Sequence, residues 1–175
     1  MAVYFYMLNG LRIYFADSPK NVAEALTEVK PSVMIVVPRI LERLYESMTL
    51  VADKSKGPKR MLIRSAVKYA KLNEPGKKFS FMQFIYDKFV YRKMRDALGG
   101  KFKYIVSGSS ALNKSILRFL LNIRLPVYEG YGMTECSPVV SANCIKAAKP
   151  GTIGKPLSYL DVKIGNNSEI LVKGD

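Results

Sequence analysis

The sequence predicts an α/β fold: a layered sheet with helices on its faces and a short β-rich stretch at the C-terminal end. Three observations predict it. Val33–Val37 is a continuous, mostly β-branched run, as expected of a strand buried on both faces of a parallel sheet. Tyr104–Val106, Ser107–Asn113, Ser115–Leu121 and Val127–Tyr128 read in turn as strand, small-residue loop, helix and strand. Ligands of such sheets sit in the loops at the carboxyl ends of strands. From Gly151 onward come short β segments, Val162–Ile164 and Glu169–Val172, around an Asn166-Asn167 turn.

The remaining elements follow from local chemistry. Tyr4–Leu8 and Leu11–Phe15 are apolar, strand-like runs about Asn9-Gly10, a turn signal. Asn21 is placed to cap a short helix carrying Val22, Ala25, Leu26 and Val29, which Pro31 ends. Pro38 opens a helix in which Ile40, Leu41, Leu44 and Met48 recur at helical spacing. Two amphipathic helices are expected at about 59–72 and 81–98, parted by Asn73-Glu74-Pro75-Gly76 and stopped by Gly99-Gly100. Their apolar residues (Leu62, Ile63, Ala66, Tyr69, Ala70, then Phe81, Phe84, Ile85, Phe89) either pack on a core or rest against a bilayer with lysines toward the head groups. The chain reads as part of one domain in four stretches: strand and helix units over 1–52, a basic helical block over 53–100, a strand-loop-helix region over 101–150 and the β-rich 151–175.

Composition narrows the function. With 175 residues, 49% of them hydrophobic, the chain has material for a core, and ordinary Gly and Pro contents exclude collagen-like and disordered readings. There is no His, so chemistry must run on carboxylates, hydroxyls, lysines and backbone amides. Two Cys make no disulfide framework and point to a reducing compartment. The short apolar run at the start lacks a basic leader, so the chain reads as cytoplasmic, with a peripheral membrane location as the alternative. Net charge is +14, and residues 53–103 hold 15 Lys and Arg against 4 Asp and Glu. Such a block attracts polyanions: nucleic acid, anionic lipid or nucleotide phosphates. No zinc-finger or RNP-like pattern accompanies it, which argues against sequence-specific nucleic-acid recognition. A solvated helical face is the plain alternative.

Two loops carry candidate chemistry. Ser107-Gly108-Ser109-Ser110-Ala111 offers small residues, amides and hydroxyls to a ligand, though strand-to-helix loops of this kind are common. It lacks the Gly-Lys-Ser/Thr ending of a P-loop. The second, Tyr128-Glu129-Gly130-Tyr131-Gly132-Met133-Thr134-Glu135, is more specific. Glycines flank Tyr131 and leave its ring free to stack on a planar base. Thr134 supplies a hydroxyl for a phosphate oxygen and Glu135 a hard carboxylate for Mg²⁺. A bare turn remains the alternative on these grounds alone.

Tyr131-Gly132-Met133-Thr134-Glu135, followed by Ser137-Pro138, resembles the Tyr-Gly-x-Thr-Glu signature of the adenylate-forming (AMP-forming) ligase superfamily. Val106–Leu112 is similar to that family's adenine loop, Pro150–Leu157 to its Pro-Gly-x-x-Gly-x-Pro segment, and Glu169–Gly174 to its Gly-Glu-Ile-x-x-x-Gly segment. Val37-Pro38-Arg39-Ile40-Leu41-Glu42-Arg43-Leu44 resembles the Val-Pro-Arg helix of long-chain fatty acyl-CoA synthetases, and the basic block stands where that branch carries an insertion.

The resemblance implies part of the N-terminal domain of an acyl-CoA synthetase-like fold, acting on ATP, a fatty acid and coenzyme A to give acyl-CoA, AMP and diphosphate through an acyl-adenylate. It implies that Tyr131 stacks on adenine, with Ser109, Ser110, Glu129, Gly130 and Gly132 around the base. Thr134 touches phosphate, Glu135 holds Mg²⁺, and the acyl chain passes Val36, Gly108 and Gly132. The family's phosphate loop, Thr-Gly-Asp segment, hinge and C-terminal domain are not among these residues, so this stretch by itself is expected to be inactive. A shorter-acyl or aryl acid ligase, or a non-catalytic basic module, is the alternative. Cut strand edges would favour a homodimer. Two departures stand out: Ser109, Ser110 and Ala111 replace the usual Gly, Ala and Pro of the adenine loop, and Ser168 replaces a Gly.

Overall fold

The computed structural model describes residues 2–18, 21–76, 80–136, 138–145 and 147–174. Strands β1 (Val33–Val36), β2 (Tyr104–Ser107), β3 (Val127–Tyr131), β4 (Ser141–Ala142) and β5 (Lys155–Pro156) form one sheet in that order. The first three are parallel, with Val36 opposite Ser107 and Ser107 opposite Glu129. β1 and β2 therefore end level, and β3 runs two residues further, to Tyr131. β4 and β5 join antiparallel, Tyr131 facing Ser141. A separate hairpin pairs β6 (Asp161–Ile164) with β7 (Ile170–Lys173). The predicted α/β class with a β-rich end is what the chain adopts.

Helices α2 (Val22–Val29), α3 (Pro38–Lys54), α4 (Gly57–Leu72) and α7 (Lys114–Asn122) match the predicted ones in place. Pro38 takes the first turn of α3, and Asn113 Oδ1 caps α7 by accepting from the Ser115 N–H at 2.9 Å. Asn21 holds the cap position of α2 without a side-chain bond. α4 packs on α3 and α7, burying Ile63, Ala66 and Ala70 beside Leu41, Leu44, Phe119 and Leu120. Asn122, buried in α7, donates to Ala70 O at 2.9 Å and Asn73 O at 2.8 Å, closing the end of α4.

Three expectations are corrected. Ala2–Leu8 is a helix, α1, and not a strand. Its end is a Schellman turn: Leu11 N–H donates to Tyr6 O at 2.9 Å, Gly10 N–H to Met7 O at 3.1 Å, and Gly10 sits at φ 63°. Asn9-Gly10 is a real turn signal that ends a helix, and Leu11–Phe15 has no regular structure. A short run that is apolar throughout has no period to tell the two apart.

β1 is not buried on both faces. Met34 and Val36 pack on the core, but Ile35, on the opposite face of this edge strand, is 41% exposed.

The helix after residue 80 packs through the other stripe. Its middle is π-helical: α5 (Phe81–Tyr86), a π segment (Asp87–Tyr91), then α6 (Arg92–Asp96). Tyr86, Val90, Tyr91 and Met94 are buried, whereas Phe81, Phe84 and Phe89 are 77%, 54% and 53% exposed. Polar partners decide this. Tyr91 Oη donates to Ala66 O at 2.8 Å, Tyr86 Oη lies 2.7 Å from Ser65 Oγ, and Arg95 spans Asp87 (2.6 Å) and Ile123 O (2.9 Å). The extra residue of a π turn supplies the rotation that reaches all of them.

Candidate active site

The adjacent carboxyl ends of β2 and β3 bring the two predicted loops together. The backbone of Gly108 lies beside the carbonyl of Gly130. Glu129 then locks the pair: its Oε1 accepts from the Leu112 N–H at 3.0 Å, across 17 residues of chain. A carboxylate accepting from an amide is among the stronger neutral-donor bonds, so the 107–112 loop is held against β3. Asn143 adds the next contact, donating from its N–H to Glu129 O at 2.9 Å and from Nδ2 to Thr152 O, while its Oδ1 accepts from Lys149 N–H at 2.9 Å. Glu129 and Asn143 thus join three motif segments: 107–112, 128–135 and 150–154. The sequence reading put the Glu129 backbone near the base and did not single out Asn143; an Asn just beyond a short strand carries no distinctive signal.

Tyr131 is half-buried and belongs to β3, where a turn was expected. The flanking glycines accommodate backbone. A Cβ on Gly130 would meet Ser141 O at 3.3 Å, and one on Gly132 would stand 1.7 Å from Pro138 O. Gly132 is needed where the chain after β3 folds back on itself. Thr134 and Glu135 sit exposed in a 3₁₀ turn (Thr134–Cys136) directly after β3. Ser137, the next motif residue, lies outside the described residues. Ser109 and Ser110 are exposed in the neighbouring loop, Ser109 at φ 74°. Val36 is half-buried at the end of β1, one strand away.

Ser107 Oγ is buried with no protein partner among the described atoms, although Ser107 ends β2 in the middle of this cluster. An orphaned hydroxyl is completed by a ligand group or a water. The loops also offer the exposed side chains of Ser109, Ser110 and Thr134, which fits a polyoxygenated ligand. Among the described residues no three metal-ligating side chains converge. A single exposed carboxylate suits Mg²⁺, which keeps several waters and takes further ligands from phosphates. Burial, then the neighbouring Tyr104, pushes the Tyr128 phenol above its ordinary range, so it stays neutral on the sheet face away from Glu129.

A family model described as "AMP-binding enzyme" matches residues 1–174. The chain belongs to the AMP-binding, adenylate-forming ligase family. Among its relatives, the long-chain-fatty-acid–CoA ligase FadD15 of Mycobacterium bovis is 33% identical over 91% of this chain and 28% of its own length. Long chain acyl-CoA synthetase 3 of Arabidopsis thaliana is 31% identical over 90% of this chain and 24% of its own. In structure, the Bacillus subtilis o-succinylbenzoate CoA synthetase in complex with its acyl-adenylate intermediate superposes with a TM-score of 0.58 at 16% identity, covering 99% of this chain and 29% of that one. That similarity supports the fold alone. The chain spans less than a third of the length of these relatives.

Proposed function

We propose that this family member is a long-chain fatty acid–CoA ligase and that the 107–112 and 129–135 loops form the adenylate half of its site. One observation carries the reading: the carboxyl ends of β2 and β3 lie side by side and are tied by Glu129, in a chain matched throughout by the AMP-binding family. Tyr131 presents its ring to adenine, with Ser109, Ser110, Gly132 and the Glu129–Gly130 backbone at the base's edge. Thr134 donates to the α-phosphate. Glu135 would hold Mg²⁺, and the ion, when bound, would neutralise charge on phosphate oxygens. These residues position and neutralise, and none needs to move a proton, in keeping with a chain that has no His. Val36 and Gly108 line the start of the acyl path, and coenzyme A takes the acyl group in the second step. The sequence relatives and the helical 57–96 segment favour a long-chain acid over the aryl acids.

Nucleotide titration tests the reading. AMP or a non-hydrolysable acyl-adenylate should raise the melting temperature, more with Mg²⁺ than without, and Tyr131→Ala should abolish the shift. Glu135→Ala should remove the Mg²⁺ dependence while leaving AMP affinity within about threefold, since its charge acts mainly in the transition state. Nucleotide protection that survives Tyr131→Ala unchanged would overturn the assignment. The 175-residue chain alone should yield no acyl-CoA.

A further inference from the structure

A groove of about 930 Å³, lined by none of the residues of the adenylate loops, opens between α3, α4 and the helix from Phe81 to Asp96. Met48, Val51, Leu62, Ile85, Phe89 and Met94 line it, and Lys59 and Lys93 stand at its rim. Pro38 starts α3 just past the carboxyl end of β1, and Met48 and Val51 lie ten and thirteen residues further along. At the helical rise that is about 15–20 Å along α3 from its first turn. Around the groove the surface is unusually apolar: Met61 is 75% exposed, Phe81 77%, Phe84 54% and Phe89 53%. The helices that form it carry nine Lys and Arg against two Asp over α4, α5, the π segment and α6. Lys59 and Lys93 line the groove and Lys88 and Arg92 follow along the same helix, whereas Arg64, Lys68 and Lys71 line a different cleft and Arg95 pairs with Asp87. Asp87, one of the two acids, is already engaged by Arg95 and Arg124.

The two properties are interleaved. Phe81, Phe84, Ile85, Lys88, Phe89, Arg92 and Lys93 follow one another at helical spacing, and Lys88 Nζ lies over the Phe89 ring at 5.7 Å. Core packing does not account for this face, because the core uses Tyr86, Val90, Tyr91 and Met94. Aromatic rings alternating with long basic side chains suit the boundary between acyl chains and anionic head groups, where the rings enter and the cations stay at the phosphates. We propose that this face docks on an anionic lipid bilayer, with Phe81, Phe84, Phe89 and Met61 entering it and Lys59, Lys88, Arg92 and Lys93 held at the phosphates. Among the described residues no helix is long and apolar enough to cross a membrane. This docking is independent of the ligase reading.

Sedimentation of the 175-residue chain with vesicles of phosphatidylcholine, with and without about 30 mol % phosphatidylglycerol, tests it. Binding to the anionic vesicles should exceed binding to neutral ones about tenfold and fall as salt shortens the Debye length. Phe84→Asp/Phe89→Asp and, separately, Lys88→Gln/Arg92→Gln/Lys93→Gln should each cut it about tenfold with circular dichroism unchanged. Because the chain has no Trp, Phe84→Trp gives a direct probe whose emission should shift to the blue only with anionic vesicles. Equal binding to both compositions would overturn the proposal. So would an indole emission that stays unshifted in the Phe84→Trp variant, or a chain that self-associates through this face and leaves vesicles in the supernatant.

Discussion

The amide of Leu112 donates to the Glu129 carboxylate at 3.0 Å, joining the loop after β2 to the strand that carries Tyr131. Leu112 is itself buried, so the bond fixes where the small-residue loop leaves the core. Removing the acceptor by Glu129→Ala leaves that amide unpaired. Expected effects are a loss of about 1–2 kcal/mol of stability and about tenfold weaker AMP binding. Glu129→Gln keeps an acceptor oxygen and should restore most of both. Urea unfolding and calorimetric titration read the pair; indistinguishable Ala and Gln variants would contradict the role.

Gly132 is demanded by packing. With a Cβ only 1.7 Å from Pro138 O, Gly132→Ala must push the backbone apart and should cost about 3 kcal/mol. Gly108→Ala is the comparison, since its nearest contact, Gly130 O at 3.9 Å, is ordinary. It should stay within about 0.5 kcal/mol. Thermal melts of the two variants measure the difference.

The two serines that the motif resemblance sets against glycine both hold left-handed backbone: Ser109 at φ 74° and Ser168 at φ 59°. Ser168 closes the β6–β7 hairpin through its N–H to Gly165 O at 3.1 Å. Ser109→Gly and Ser168→Gly should each relieve strain and, after the entropy cost of glycine, stabilise by up to about 1 kcal/mol. Urea midpoints that fall in either variant would refute this.

Tyr91 is fully buried with its hydroxyl on Ala66 O, and burial pushes its phenol far above the ordinary 10.0. The folded chain keeps that proton where the unfolded chain releases it. Its contribution is therefore complete below pH 10 and declines as pH rises further. Tyr91→Phe should cost about 1 kcal/mol at neutral pH and lose stability less steeply above pH 10. Urea unfolding across that range measures both.

Arg95 and Asp87, each 19% exposed, pair at 2.6 Å while Arg95 also serves Ile123 O. Arg95→Met should cost about 2–3 kcal/mol. Arg64→Met, which breaks the exposed pair with Asp53 (2.7 Å), should leave the melting temperature nearly unchanged.

Much of the fold was legible because the signals were local. Pro38, the β-branched Val33–Val37 run and the Asn166-Asn167 turn act within a few residues of themselves, and each element appeared in its place, although Asn21, read as a cap, makes no side-chain bond there. The Tyr131–Glu135 signature likewise identified the family from contiguous residues. Tertiary structure decided the rest. Whether Phe89 or Tyr91 faced inward depended on a carbonyl 25 residues away, on Ala66, and on the Asp87–Arg95–Ile123 contacts. Whether the two loops met depended on the parallel register of β2 and β3 and on a carboxylate reaching Leu112. Side-chain periodicity reports which stripes of a helix are apolar. Choosing between two apolar stripes takes the distant polar groups that must be satisfied when one of them is buried, and those are brought together only by folding.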